Sequence, residues 1–143
     1  MKTVITVVLV FAGYLAMAQA PQKFSYQGVA RDNASNILAN QNIGLQISLH
    51  SASPSGTVVY QETQAPTTNA FGLFNIQVGG GTVVSGDLAS VDWGANSYYL
   101  QVEMDASGGT SYLDMGTAQL LSVPYALYAE NSGTPGPQGP AGA

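Results

Sequence analysis

Apolar and polar residues alternate along three stretches of this 143-residue chain. In the clearest stretch, from Ile43 to His50, every second residue is apolar. A period of two places successive side chains on opposite faces of an extended strand, so that one face is buried and the other contacts water. The same pattern recurs from Phe74 to Val78 and from Tyr98 to Met104. All three stretches are predicted to be core strands, and the first is predicted to cross the centre of a sheet.

Three weaker stretches are also predicted to be strands, namely Lys23 to Arg31, Thr57 to Thr63 and Tyr112 to Leu121. We expect Phe24 and Tyr26 to face inward from the first of these, and Val58 and Tyr60 from the second. Segments rich in Asp, Asn, Ser, Pro and Gly separate the strands and are typical of turns; they comprise residues 32–36, 53–56 and 106–109. Six or more short strands joined by such turns predict an all-β chain that forms a single antiparallel β-sandwich.

One segment, from Gly86 to Gly94, breaks the alternation. It is predicted to form a short helical turn, with Asp87 as N-cap and Gly94 as terminator. Trp93 would then close one end of the sandwich as part of the core. Because an exposed Trp can also stack on a sugar ring, a sugar-binding platform is the alternative for this residue.

The N-terminus has the three parts of a secretory signal peptide. Lys2 supplies the charge, Val4 to Ala16 forms the apolar run, and small residues lead to a cleavage site that we predict between Ala18 and Gln19. Cleavage two residues later would place Pro21 after the scissile bond, where its ring should hinder the peptidase. A membrane anchor is the alternative, but the run is shorter than the roughly 20 apolar residues that a spanning helix needs. We therefore expect a secreted or outer-surface protein with no membrane span after signal removal.

The C-terminal part has a different composition. Residues 123–132 are Ala-rich, with Pro124 suited to the first turn of a helix, and are predicted to form a short helical neck after a β domain that covers residues 19–122. Residues 133–143 carry glycine at every third position, at Gly133, Gly136, Gly139 and Gly142. This is the collagen pattern, since only glycine fits at the axis of a triple helix, although a Gly/Pro-rich linker is the alternative.

So few triplets cannot offset the entropy of ordering three chains, and the tail by itself is expected to be disordered. Because the chain stops within the repeat, we expect residues 133–143 to be a truncated part of a longer collagen-like segment. A triple helix needs three chains in register, which predicts a homotrimer formed through this segment.

The composition of the chain limits which binding partners and which stabilising bonds we expect. Charged residues make up only 8% of the chain, and removal of Lys2 with the leader leaves two basic residues against eight acidic ones, a net charge of −6. Nucleic acid is therefore not an expected partner. The chain has no cysteine, so it can form neither disulfides nor thiolate metal sites.

The residues that could carry catalysis are few. His50 is the only histidine, is predicted to lie exposed on the polar face of its strand, and has no nucleophile motif nearby in the sequence. The close carboxylate pairs are Asp87 with Asp92 and Glu103 with Asp105. Glu103 and Asp105 are predicted to share the outward face of one strand, and a wet face that ends in a Gly-rich turn explains them without glycoside hydrolysis. We predict that the protein is not an enzyme.

Two other segments bear on bound ligands. Asp32 to Asn36 offers oxygen atoms at alternate positions but lacks the distal acid of a calcium loop, so a turn is predicted rather than a metal site. Gly79 to Gly81 has neither the following Lys-Ser/Thr nor the helix of a phosphate loop. We predict no metal and no cofactor.

Three stretches carry a resemblance to a family: Gln22 to Asp32, Thr67 to Phe74 and Leu120 to Ala129. Together they resemble the N-terminal module of secreted bacterial collagen-like and tail-fibre-like proteins, in which the module precedes collagen repeats or coiled stems. That resemblance implies no catalytic residues. More loosely, Asn42 to Gly81 is similar to the carboxypeptidase-regulatory or transthyretin-like sandwich, which implies a prealbumin-like fold and says nothing of a site.

The order of β domain, neck and Gly-X-Y segment predicts a secreted or cell-surface structural or adhesive protein, whose β domain anchors or registers the chains of a triple-helical stalk. Three copies on one stalk would sum weak contacts into avidity. The alternative is an extracellular module that binds a ligand or carbohydrate without catalysis, using exposed aromatic residues such as Trp93, Tyr98, Tyr99 and Tyr112.

Overall fold

The computed structural model describes residues 22–121, and these residues form two antiparallel β-sheets with almost no helix. The strands are β1 (Phe24–Val29), β2 (Gly44–Ser51), β3 (Val58–Gln64), β4 (Leu73–Val78), β5 (Thr82–Gly86), β6 (Tyr98–Asp105) and β7 (Leu113–Gln119). One sheet contains five strands in the order β5-β3-β2-β6-β7, and the other pairs β1 with β4. The all-β prediction is confirmed. The signal peptide, neck and Gly-X-Y segment predicted from the sequence lie outside the described residues.

The strand predicted to be central is β2, which lies in the middle of the five-stranded sheet between β3 and β6. Its Leu45, Ile47 and Leu49 are almost completely buried and share one face with their partners on β6, which are Met104, Val102 and Leu100. Strand β4 contributes Phe74, Ile76 and Val78 to the same core. A single apolar cluster therefore joins the two sheets in a sandwich-like arrangement, which confirms the inward positions predicted for β2, β4 and β6.

The two strands of the smaller sheet pack against each other through a close aromatic contact. Tyr26 on β1 and Phe74 on β4 have ring centroids 6.2 Å apart. Gly28 lies directly opposite Phe74, and a Cβ at this position would come within 2.6 Å of the Phe74 ring. The absence of a side chain at Gly28 therefore lets the ring lie across β1.

The predictions for the positions of Val58, His50 and Trp93 were wrong. Val58, expected inward, is 40% exposed, because a register shift between Leu49 and His50 places it opposite His50 on the outer face. His50, expected to be exposed, is buried between the Gly56 carbonyl and the Gln101 side chain. Trp93, expected in the core, is 44% exposed.

The position of Trp93 follows from the segment before it. Asp87 caps a 3-10 helix, Leu88–Ser90, by accepting from the Ala89 N–H, which confirms the predicted N-cap. The helix ends at Ser90, where Val91 is already extended, so the prediction that Gly94 terminates it was wrong. As a result Leu88, rather than Trp93, is the residue that this segment inserts into the core.

Candidate functional site

An apolar groove, which we call the β7 groove, lies beside β7. It has a volume of about 320 Å³ and is lined by Tyr26, Leu100, Val102, Met115, Gly116, Thr117, Ala118 and Leu120. It lies between the two-stranded sheet and the edge of the five-stranded sheet that β6 and β7 form. Tyr26 forms one wall, and β6 and β7 form the floor and the other wall.

Small residues on β7 give the groove its depth. Ala118 lies opposite Leu100 and Gly116 lies opposite Val102 in the β6–β7 ladder. Gly116 has a φ of +128°, and a Cβ there would meet nothing within 4 Å, so space is open above it. Met115, which lines this space, leaves 47% of its surface exposed. The face of β7 that borders the groove is therefore apolar, and the rest of residues 22–121 does not cover it.

A second, polar cleft lies near one end of the five-stranded sheet. It has a volume of about 260 Å³ and is lined by Gly44, Thr63, Gln64, Ala65, Thr82, Gly108, Gly109, Thr110 and Tyr112. The hydroxyl and amide groups in this lining could donate to and accept from a polar ligand.

The aromatic residues proposed as a sugar platform do not converge. Trp93 contacts Tyr98 edge to face with ring centroids 5.1 Å apart, but Tyr98 is 6% exposed and its hydroxyl donates to the Asp92 carbonyl oxygen at 2.6 Å. Tyr99 lies opposite His50, so it belongs to the outer face. Tyr112 lines the polar cleft, at the other end of β6. The structure therefore brings together only Trp93 and Tyr98 of the four.

A buried carboxylate that the sequence analysis missed lies on the inner face of the five-stranded sheet. Glu62 has no exposed surface, and its Oε2 accepts from Tyr60 Oη (2.6 Å), the Gly79 N–H (2.9 Å) and the Gly81 N–H (3.2 Å). Its Oε1 accepts from Gln64 Nε2 at 2.6 Å. The sequence of β3 could have indicated this site, because Glu62 lies two residues after the inward-facing Tyr60 and residues two apart on a strand share a face.

This cluster ties the turn after β4 to the middle of β3. Burial, followed by the hydrogen bond to Glu62, raises the pKa of Tyr60, which keeps the phenol protonated and able to donate. The glycine run at residues 79–81 therefore uses its N–H groups on a carboxylate of the same chain. All four donors and both carboxylate oxygens form hydrogen bonds within the domain. The cluster therefore stabilises the fold.

The Asp32 and Asp87 carboxylates each accept hydrogen bonds within their own turn. Hydrogen bonds from Asn36 lower the pKa of Asp32, and those from Ser90 and Ala89 lower the pKa of Asp87. The Asp32 side chain also accepts from the Ala34 N–H, so the turn predicted for residues 32–36 is confirmed.

Asp105 was expected to share the wet face of β6 with Glu103, but it is 7% exposed. Its carboxylate turns into the loop that follows, where Ser107 Oγ donates to Oδ1 at 2.6 Å and the Ser111 N–H donates to Oδ2 at 2.9 Å. The Ser107 hydroxyl is the main cause that lowers the pKa of Asp105. Within residues 22–121, no group of three or more His, Cys, Asp or Glu side chains could hold a metal ion.

Comparison with known proteins places this domain in a family. A family model described as a domain of unknown function, DUF8740, matches residues 25–118. The chain belongs to the DUF8740 family. The matched span begins in β1 and ends in β7, so the DUF8740 domain coincides with the two sheets described above. Neither the curated proteins nor the solved structures contain a match to the chain. No helix in the described part of the DUF8740 chain is long and apolar enough to cross a membrane.

Proposed function

We propose that this chain is a secreted or cell-surface structural or adhesive protein, in which the DUF8740 domain anchors or registers three chains for a collagen-like stalk. The observation that carries the proposal is the order of parts along the chain. A domain with two sheets ends in β7, the chain leaves it beside an apolar groove, and glycine then recurs at every third position from Gly133 to Gly142. A folded unit placed just before a Gly-X-Y segment can hold three chains in the register that a triple helix requires.

In this proposal the domain is an N-terminal module of the kind found in collagen-like and tail-fibre-like proteins, with a prealbumin-like sandwich as its fold. The described carboxylates support a non-catalytic role, because the fold uses Asp32, Glu62, Asp87 and Asp105 in turns and in the core. The protein then acts mechanically, and avidity arises from three linked copies.

The test is to continue the repeat in phase. One residue after Ala143 followed by a series of Gly-Pro-Pro triplets preserves the glycine spacing set by Gly139 and Gly142. We expect three chains by sedimentation and a cooperative melt of the polyproline-type circular dichroism band. After the repeat alone is melted, its refolding rate should not depend on protein concentration, because the β domains still hold the three chains together.

The matched control carries the same extension with Gly136→Ala and Gly139→Ala, which places methyl groups at the crowded axis and should lower the melting temperature of the repeat. A monomer in the in-phase chain would refute trimerisation. A trimer whose refolding rate rises steeply with concentration would refute registration by the domain.

The polar cleft supports a second proposal, that the domain binds a carbohydrate. Sugar hydroxyls suit a cleft lined by Thr63, Thr82 and Thr110 with Tyr112 at its side. Binding on a glycan array that Tyr112→Ala abolishes while the fold is kept would favour this function. Trp93→Ala is the matched aromatic control, since Trp93 does not line the cleft; loss of binding in that variant alone would place the site at Trp93 instead.

A further inference from the structure

The β7 groove lies where the chain leaves the described domain. Leu120 lines the groove, and its N–H donates to the Tyr98 carbonyl oxygen at 2.8 Å, which fixes the position of this residue. Leu121 follows directly and is 78% exposed. Whatever comes next along the chain therefore starts at the rim of the groove.

The sequence after Leu121 has the composition to cover an apolar surface. Residues 123–129 contain Val123, Tyr125, Leu127 and Tyr128, and no charged residue occurs before Glu130. Because the tether from Leu120 is only a few residues long, the effective concentration of this segment at the groove is in the range of about 1 mM or more. A separate molecule would have to pay the full entropy of association to compete with it.

We propose that residues 123–129 of the same chain cover the β7 groove, with their apolar side chains against Leu100, Met115 and Ala118. The inference goes beyond the proposed function, since the covered groove would form in a single chain as well as in a trimer. In a trimer it would also fix the point from which each Gly-X-Y segment leaves its domain.

The absence of cysteine from the sequence allows a clean cross-linking test. In the full chain, Met115→Cys places a thiol in the groove and Leu127→Cys places one in the segment. The matched control pairs Leu127→Cys with Val83→Cys, which lies on β5 at the opposite edge of the sheet and is similarly exposed, at 55% against 47% for Met115. Under mild oxidation we expect the groove pair to form an intramolecular disulfide at least about tenfold faster than the control pair.

Two results would overturn the inference. Equal rates for the two pairs would show that the segment does not lie in the groove. Disulfides that link two chains at low protein concentration would show that the occupant comes from a second copy. Thermal melting of each reduced variant establishes that it folds, and Leu127→Asp provides a second measurement: it should shift the methyl NMR signal of Met115, whereas Val84→Asp should not.

The result of the cross-linking experiment can be distinguished from the result of the trimer experiment. A chain that sediments as a monomer yet cross-links rapidly within itself would refute the stalk proposal and support the covered groove. A registered trimer whose groove pair reacts no faster than the control pair would support the stalk proposal and refute the covered groove.

Discussion

At the scale of single residues, the Glu62 carboxylate joins β3 to the turn after β4. It is fully buried, and it accepts hydrogen bonds from the Tyr60 hydroxyl, the Gln64 amide and two N–H groups of the turn after β4. A buried group that loses its partner keeps the full cost of leaving water. The stability of the fold should therefore depend strongly on this one side chain.

We expect Glu62→Ala to lower the free energy of unfolding by about 3–5 kcal/mol, because it leaves the Tyr60 hydroxyl and the Gly79 and Gly81 N–H groups without their acceptor. Urea unfolding followed by the fluorescence of the single Trp93 measures this loss. Glu103→Ala is the matched control, since Glu103 is half-buried on the outer face of β6, and it should cost less than about 0.5 kcal/mol. Losses of similar size in the two variants would contradict a special role for Glu62.

A second prediction at this scale concerns the pH dependence that Asp105 contributes. The Ser107 hydroxyl, followed by the Ser107 and Ser111 N–H groups, holds the pKa of Asp105 below its ordinary value of 3.8. A carboxyl group with a lowered pKa in the folded state stabilises the fold above its unfolded pKa and loses this contribution as pH falls through its folded pKa. Acidification below about pH 4 should therefore weaken the loop after β6.

Ser107→Ala removes the main cause of the shift, so the pKa of Asp105 should rise toward 3.8 in an NMR titration of its carboxyl carbon. The loss of melting temperature between pH 5 and pH 2 should become smaller in this variant. Ser111→Ala keeps the backbone N–H that donates to Asp105 and should leave the pKa unchanged. An unchanged pKa in Ser107→Ala would show that the hydroxyl is not responsible.

At the scale of elements, the turn before β4 shows how one short sequence joins two distant parts of the chain. Thr68 is 3% exposed; its hydroxyl donates to the Leu38 carbonyl oxygen at 2.5 Å and accepts from the Gln41 N–H at 3.0 Å. Asn69 then caps the turn by accepting from the Phe71 and Leu73 N–H groups. The loop before β2 is thereby fixed to the entry of β4.

We expect Thr68→Val, which keeps the shape of the side chain, to lower the free energy of unfolding by about 1–3 kcal/mol, since the half-buried Leu38 carbonyl and Gln41 N–H lose their partner. Thr68→Ser keeps the hydroxyl and should retain most of the stability that Thr68→Val loses. Chemical denaturation of both variants measures the difference. If Thr68→Val were as stable as Thr68→Ser, the hydroxyl would not be what joins the two loops.

The sequence predicts the elements well where packing is one-sided. Strands β2, β4 and β6 alternate in the sequence because one face of each meets the common core, and their inward residues were predicted correctly. Strand β5 was missed, since all five of its residues are exposed and no face needs to be apolar. Val58 was misplaced because a register shift depends on the partner strand and leaves no trace in local periodicity.

The surroundings of His50, the Glu62 cluster and the β7 groove were less predictable from the sequence, because each depends on contacts between residues that are far apart along the chain. The burial of His50 depends on Gly56 and Gln101, and the donors to Glu62 come partly from a turn seventeen residues away. Likewise, the β7 groove lies between Tyr26 of β1 and the residues of β6 and β7. None of these arrangements follows from residues that are neighbours in the sequence.

At the scale of the whole molecule, the five-stranded sheet of residues 22–121 ends in two edge strands of different character. Strand β7 continues into the C-terminal segment, whereas β5 presents an uncharged edge in which Val83 and Val84 are 55% and 53% exposed. An edge strand without charge or proline is a template for pairing with another chain. If the stalk holds the three copies together on the β7 side, the β5 edge stays free and is the place where unwanted association should begin.

Val84→Lys should therefore slow concentration-dependent aggregation several-fold, because a charge on an edge strand opposes pairing between edges. The melting temperature should change little, since an exposed substitution costs within about 0.5 kcal/mol. Light scattering over time at high protein concentration measures the effect, and Val84→Thr, which is β-branched and uncharged, is the control. In the chain with the extended repeat, Val84→Lys should leave the trimer intact; dissociation to monomers would place the β5 edge inside the assembly and contradict an arrangement in which the copies meet on the side of β7.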